Sequence, residues 1–138
     1  MVLKVQIHTL DQELEIELKS DGDVDRLLVM SSKSEYTKDP GTAWHAESAN
    51  RQLAEALGRL ALQCYRFPHQ PKRITILDGM LMTLHYRDEE GEFNLRIKEF
   101  EEDTTEALLL QSILSYCQQL LQDSAFDHYA AYGESYLR

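Results

Sequence analysis

The sequence contains few residues that break secondary structure or cross-link a chain. Proline and glycine together account for nine of the 138 residues, and there are only two cysteines. This scarcity argues against a collagen-like or low-complexity chain, and two cysteines cannot supply the disulfide framework of small secreted domains. No apolar run is longer than four residues, whereas a helix that spans a membrane needs about 20. The sequence therefore predicts neither a disulfide-rich domain nor a transmembrane segment.

Basic residues are also scarce. Fourteen Lys and Arg stand against 24 Asp and Glu, which gives a net charge of −10 and a pI near 4.9. A general nucleic-acid binder needs a basic footprint, so nucleic acid is excluded as the expected partner. Hydrophobic residues make up 43% and charged residues 28%, which is typical of a globular protein. One α+β domain over residues 1–138, with a single core, is expected.

The negative charge is concentrated in two stretches. Residues 11–25 hold seven acids against one base, a net of −6, and residues 88–106 hold nine acids against two bases, a net of −7. Together they carry −13, so the remaining 104 residues carry +3. Such asymmetry indicates an interaction surface.

The compartment is inferred from the N-terminus and the cysteines. Lys4 and Gln6 interrupt the apolar residues of the first segment, and no small-residue cleavage site follows, so no signal peptide is predicted. Cys64 and Cys117 lie in phase with neighbouring leucines of helical patterns, which favours buried, reduced thiols. We expect a cytoplasmic protein.

Alternating and helical patterns divide the chain into elements. Period-two alternation predicts strands around residues 3–8 and 13–19, joined as a hairpin, and a third strand over 26–31 precedes a polar loop at 31–42. A stripe at spacings of three and four predicts a long helix over 42–67. Thr42 is its expected N-cap and Pro68 its expected end.

The second half of the chain predicts a meander and a helix. Residues 73–100 read as three antiparallel strands, with Asp78-Gly79 as the first hairpin turn. A helix over 104–122 follows, capped by Asp103 and Glu106, and Ser124 begins a short further helix. The expected fold is α+β, with an antiparallel sheet of five to six strands in the order β-β-(β)-α-β-β-β-α. Two long helices cover one face of this sheet and leave the other exposed.

The sequence offers no recognisable catalytic constellation. The five histidines fit no metal-ligand spacing, and there is neither a nucleophile elbow nor a phosphate-binding glycine loop. His8 and His85 with Glu15 or Glu17 could share a sheet face, but a structural metal site normally needs four ligands of defined geometry. We therefore predict no catalytic, cofactor-binding or metal-binding residues and a protein that is not an enzyme.

The leading hypothesis is a protein-binding domain whose acidic surface engages a basic protein. Alternating carboxylates give a strand no structural advantage, so residues 11–25 are the best indication of a partner. Aromatic residues are expected to anchor the contact, as at binding hot spots. The predicted partner-binding residues are Glu13, Glu15, Glu17, Asp21, Asp23, Asp25, Trp44, Tyr132 and Tyr136.

In size and acidity the chain resembles bacterial immunity proteins that neutralise basic nuclease toxins, and it is similar to acidic secretion chaperones. The resemblance implies an inhibitor-type or chaperone-type protein and a toxin or effector as its partner. It rests on no motif and transfers no site residue. Chaperones of type III secretion usually begin with a helix, whereas this chain begins with a hairpin.

Two other functions are compatible with the sequence. A small enzyme or ligand-binding domain would use a pocket between loop 31–42, Trp44 and the sheet edge. A DNA mimic would need carboxylates at phosphate-like spacing with few intervening bases, and Lys19, Arg96 and Lys98 weaken that reading. The aromatic C-terminal tail suits either the core or a contact surface. A homodimer that pairs an exposed strand edge is also open.

Overall fold

The structure is a computed structural model that describes residues 1–9, 12–32, 41–49, 51–69, 80–98 and 100–134, with the backbone alone at 51, 128 and 131–134. Within these residues, six strands and three helices follow one another along the chain. They are β1 (Val2–His8), β2 (Glu13–Ser20), β3 (Asp25–Ser31), β4 (Ala43–Ser48), α1 (Arg51–Arg66), β5 (Leu81–Asp88), β6 (Gly91–Ile97), α2 (Thr105–Leu121) and α3 (Ser124–Glu134).

The strands form one antiparallel sheet in the order β4-β3-β2-β1-β5-β6. Its register follows from the alternation in the sequence, because successive side chains of a strand point to opposite faces. Val5 lies opposite Ile16 on one side and Leu84 on the other, and all three are buried. One face of the sheet therefore carries the apolar core.

The helices pack on this apolar face. Helix α1 contacts β2, β6 and α2, while α2 also contacts β4 and α3. The buried side chains of α1 recur at helical spacing, from Ala54 and Leu57 to Ala61 and Cys64. Phe126 of α3 is fully buried as well. The α+β fold with helices on the sheet is thus confirmed, and no helix among the described residues is long and apolar enough to cross a membrane.

The first long helix begins later than predicted. Residues 43–48, which the sequence assigned to its first turns, form strand β4 instead. Trp44 and Ala46 alternate with exposed His45 and Glu47, and this period-two pattern was hidden because Ala46 also fits the helical stripe. Thr42 is consequently not an N-cap; its backbone bonds to Ser31 in the sheet.

The described sheet has six strands, within the predicted five to six, but one of them is not a predicted strand. Strand β4 is the sixth strand of the described sheet, whereas the predicted strand near residue 74 and the turn at Asp78-Gly79 lie outside the described residues. Most of the predicted loop 31–42 lies outside them too. The strands corresponding to β1, β2, β3, β5 and β6 and the helices α2 and α3 are confirmed.

Helix α2 is capped by a residue other than the predicted one. The Thr104 hydroxyl accepts a hydrogen bond from the backbone N–H of Ala107 at 3.2 Å. Asp103 has a left-handed φ of 64° and precedes the cap. The Glu106 carboxylate accepts a hydrogen bond from the backbone N–H of His69 at 3.0 Å. The predicted Asp103–Glu106 capping box is therefore wrong, and Glu106 instead joins the end of α1 to the start of α2.

Candidate functional site

The side of the sheet opposite the helices is the first candidate surface. We call it the open face, because among the described residues no helix packs on it. Its side chains are contributed by alternate positions of all six strands. They are Ala43, His45, Glu47, Arg26, Leu28, Met30, Glu13, Glu15, Glu17, Lys19, Val2, Lys4, Gln6, His8, Leu81, Thr83, His85, Arg87, Glu92, Asn94 and Arg96.

The three predicted glutamates of β2 lie in the middle of this face. The register places Glu13, Glu15 and Glu17 opposite His8, Gln6 and Lys4 of β1. The Gln6 amide donates to both Glu13 and Glu15, and the His8 ring lies 3.6 Å from Glu13. Cross-strand pairs of this kind stabilise a sheet by roughly 0.2–1 kcal/mol each. The sheet register thus supplies a structural reason for these carboxylates that the sequence alone did not reveal.

The open face is divided by charge along the β1–β2 boundary. The half formed by β4, β3 and β2 carries four carboxylates and two bases, a net of −2, and we call it the acidic half. The half formed by β1, β5 and β6 carries one carboxylate and three bases, a net of +2, and is the basic half. Lys4 and Arg96 of the basic half form no ion pair within the described part of the chain.

A shallow groove runs across the open face from β3 to β6. It encloses about 620 Å³ and is lined by side chains of both halves. Met30 is 40% exposed at one end, beside the half-buried Leu28. At the other end His85 Nδ1 lies 2.7 Å from the Asn94 amide oxygen. The groove therefore joins an apolar patch, two carboxylates and a polar to basic edge.

A second surface lies at one end of the sheet. The β2–β3 turn and the β5–β6 turn meet there beside the first turns of α1, around a depression of about 460 Å³. Its described lining residues include five carboxylates and no Lys or Arg, and their one cationic group is the N-terminal amine of Met1, which donates to the Ser20 carbonyl oxygen at 2.9 Å. We call this the acidic end, and Asp23 of the same β2–β3 turn belongs to it. The acidic end consists of Asp21, Asp23, Glu55, Asp88, Glu89 and Glu90.

Hydrogen bonds hold two of these carboxylates in place. The backbone N–H of Val24 donates to Asp21, which lowers the pKa of that carboxyl, and Arg26 adds an ion pair at 3.2 Å. The Tyr86 hydroxyl donates to Asp88 at 2.9 Å and lowers the pKa of Asp88 in the same way. Burial, together with this bond, raises the pKa of Tyr86 to about 12. Both carboxylates are therefore charged at neutral pH.

The structure separates Asp25 from the acidic surface. Asp25 is fully buried at the start of β3, where its Oδ2 accepts the Tyr116 hydroxyl at 3.0 Å. Its Oδ1 has no hydrogen-bond partner among the described residues. Burial, with the nearby charge of Asp25, raises the pKa of the Tyr116 phenol. The prediction that Asp25 pairs with a partner protein is wrong, because its side chain shares the core face of β3 with Leu27 and Val29.

The predicted aromatic contacts are corrected in part. Trp44 is only 8% exposed and packs edge-on against Phe126 at 5.8 Å and Tyr129 at 5.7 Å between ring centroids. It is therefore a core residue that holds α3 on the sheet rather than a contact residue. The side chain of Tyr132 and the whole of Tyr136 lie outside the described part of the structure, so their predicted role stays a prediction.

The buried thiols have no activating environment. Cys64 and Cys117 are both buried and unpaired by a disulfide. Burial raises the pKa of each thiol to about 12, whereas a nucleophilic cysteine needs a lowered pKa and access to solvent. Among the described residues, no group of three His, Cys, Asp or Glu side chains is placed to hold a metal ion.

The acidic end was missed from the sequence because it depends on the order of the strands. Asp88 and Glu89 look like a solvated turn when read alone, and Glu55 is one exposed position of a helix. Only the pairing of β5 with β1 brings the β5–β6 turn to the same end of the sheet as Asp21. Comparisons of the chain with models of known protein families, with curated proteins and with solved structures found no match.

Proposed function

We propose that the protein is a non-catalytic binding domain whose acidic end docks a basic protein, as an inhibitor-type, immunity-type or chaperone-type protein does. One observation carries this proposal. Two acidic stretches that lie more than 60 residues apart in the sequence meet around a single depression without a Lys or Arg among its described lining residues. Helix capping does not account for this convergence, because Glu101 to Glu106 lie at the start of α2 instead.

The physical role of such a surface is orientation and rapid encounter. Complementary potentials steer a basic partner toward the acidic end and set its register, while they add less to affinity. Asp21 and Asp88 are held by backbone and side-chain donors, so their positions are set before a partner arrives. The half-buried Tyr86 ring beside them offers an aromatic contact of the kind that supplies affinity.

The other predicted residues contribute differently to this proposal. Glu13, Glu15 and Glu17 lie on an open face whose two halves, −2 and +2, sum to zero. Among the described residues, the six carboxylates of the acidic end face only two cationic groups, Arg26 and the N-terminal amine of Met1, so the acidic end presents the larger net charge. A DNA mimic receives less support, since Arg26, Lys19 and Arg87 interrupt the carboxylates next to the acidic end. A ligand pocket beside Trp44 receives less support as well, because that ring lies in the core.

The test is capture of a partner with matched charge variants. The wild-type protein is immobilised and exposed to an extract of the source cells at low and high ionic strength, and retained proteins are identified by mass spectrometry. Glu89→Gln/Glu90→Gln removes two charges at the acidic end. Glu102→Gln/Asp103→Asn removes two charges from an exposed turn at the other end of the sheet and serves as the control.

We expect the wild type and the control to retain a basic protein at low ionic strength and release it at high ionic strength, because salt screens exposed charges. The Glu89/Glu90 variant should retain less of it. An acidic or absent partner, retention that is indifferent to salt, or equal losses in the two variants would each overturn the proposal.

A further inference from the structure

We propose that the open face binds a second copy of this chain, so that two sheets pack face to face about a two-fold axis. The axis would lie parallel to the strands, above the boundary between β1 and β2. This inference goes beyond the proposed function, because the acidic end lies past the ends of the strands and stays accessible in such a pair.

Charge complementarity within the face is the first argument. The acidic half carries −2 and the basic half +2. A two-fold rotation about the β1–β2 boundary places the acidic half of each copy over the basic half of the other. Glu17 of each copy then faces Lys4 of the other, and the two-fold axis makes this opposite-charge pair occur twice. At the level of Val2 the same rotation sets Arg87 over Arg26 and Glu92 over Glu47, so the complementarity belongs to the middle of the face. A partner of uniform sign would instead be repelled by one half of the face.

The unused groups of the face are the second argument. Lys4 and Arg96 have no ion-pair partner within the described residues, although both are exposed. Met30 and Leu28 lie at the opposite side of the groove as an apolar patch. In the two-fold pair, Glu17 of the second copy covers Lys4, and Ala43 covers Arg96. His85 and Thr83 of the second copy cover Leu28 and Met30 and remove this apolar patch from water. The groove of about 620 Å³ gives room for the interdigitating side chains.

The area of the face is the third argument. Six strands at about 4.8 Å spacing and seven residues at about 3.3 Å per residue cover a footprint of roughly 24 by 23 Å, or about 550 Å². Two copies together would then bury about 1,100 Å², which is above the minimum of roughly 1,000 Å² for a biological interface and slightly below the roughly 1,200–2,000 Å² that stable complexes usually bury. An association through one strand edge would bury less and would leave the charged halves unused.

The experiment uses two charge-reversal variants of the intact chain. Glu15→Lys/Glu17→Lys changes the acidic half from −2 to +2, so the whole face becomes positive. Lys4→Glu/Arg96→Glu changes the basic half from +2 to −2, so the whole face becomes negative. All four positions are exposed or half-exposed on the sheet, and circular dichroism confirms that each variant is folded.

Sedimentation velocity over a concentration series reports the association. The measurements are made near 0.15 M salt, where the Debye length is about 8 Å. At this salt concentration the repulsion between two chains of charge −10 is screened, whereas ion pairs separated by a few ångströms are not. We expect the wild type to dimerise and each variant to have a dissociation constant at least about tenfold higher. An equimolar mixture of the two variants should restore a dimer, since each face then meets one of opposite sign.

A wild type that is monomeric at every concentration would overturn the inference. So would variants that still dimerise, because association would then use a strand edge or another surface, and so would a mixture that fails to associate. Glu89→Gln/Glu90→Gln serves as a control that should leave the dimer intact. Because this control affects only the acidic end, failure of the dimer and failure of the proposed function are distinguishable.

Discussion

The buried pair of Asp25 and Tyr116 allows the sharpest prediction about stability. The pair joins the start of β3 to α2 across 91 residues of sequence. Tyr116→Phe removes the hydroxyl that donates to Asp25 but leaves the ring in place. Because Oδ1 of Asp25 already has no partner among the described residues, the substitution would leave the whole carboxyl group buried without a described hydrogen bond.

The expected cost follows from these contacts. A hydrogen bond to a charged group contributes roughly 1.5–3 kcal/mol, and a buried group left unsatisfied costs a similar amount. Tyr116 is only 3% exposed and its ring volume does not change, so no cavity adds to this figure. We expect the free energy of unfolding to fall by about 2–3 kcal/mol, and Tm to fall by roughly 5–10 °C for a domain of this size.

The assay is urea denaturation at pH 7, followed by the fluorescence of the single tryptophan, Trp44. Tyr65→Phe is the matched control, since Tyr65 is 51% exposed and should change stability by less than about 0.5 kcal/mol. In an Asp25→Asn background, Tyr116→Phe should cost only about 1 kcal/mol, as for a neutral hydrogen bond. A loss below about 0.5 kcal/mol in the wild-type background, or no coupling between the two sites, would refute the reasoning.

Three further predictions concern the core and the helix ends. Phe126→Ala removes a fully buried ring that packs on Trp44. It should lower the free energy of unfolding by about 3–5 kcal/mol and shift the fluorescence of Trp44 in the native protein to the red. Unchanged emission would contradict this packing. Burial raises the pKa of Cys64 and Cys117 from 9.0 to about 12. The folded protein therefore keeps both thiols protonated above pH 9, whereas the unfolded chain releases their protons. The free energy of unfolding is unaffected by these thiols below pH 9 and falls above it by up to about 1.4 kcal/mol per pH unit for each thiol. The Cys64→Ala/Cys117→Ala variant should flatten the slope of unfolding free energy between pH 9 and 10, and an unchanged slope would count against it. Thr104→Ala removes the N-cap acceptor of α2 and should lower the unfolding free energy by about 1 kcal/mol in urea, whereas an unchanged midpoint would show that the cap contributes nothing.

The local elements were predictable from the sequence where one periodicity dominated. Strands β1, β2, β5 and β6 alternate without ambiguity, and α2 has an apolar stripe wide enough to pack against several elements. The prediction for residues 43–48 was wrong because Ala46 fits both the alternation of a strand and the apolar stripe of the following helix. These residues form a strand because they pair with β3, where Trp44 lies opposite Val29 and extends the apolar face of the sheet.

The candidate surfaces were predictable only in part, because they depend on tertiary arrangement. The alternation of β3 places Asp25 in phase with Leu27 and Val29, so its burial could have been predicted from the sequence. It was not predicted, because Asp25 was grouped with the other acids of residues 11–25. The neighbours of Glu15 follow once the first hairpin is recognised. The acidic end, by contrast, requires the strand order, and no local pattern brings Asp21 and Glu90 together.

The affinity of the captured partner for the acidic end tests the central claim most directly. With purified partner, isothermal titration calorimetry at a series of ionic strengths compares the wild type, Glu89→Gln/Glu90→Gln and the control Glu102→Gln/Asp103→Asn. Two exposed pairs at roughly 0.2–1 kcal/mol each predict a dissociation constant about 2- to 30-fold higher for the first variant, with a shallower salt dependence, and no change for the control. Equal affinities for all three proteins, or a salt dependence that the Glu89/Glu90 variant leaves unchanged, would contradict the claim that the acidic end binds the partner.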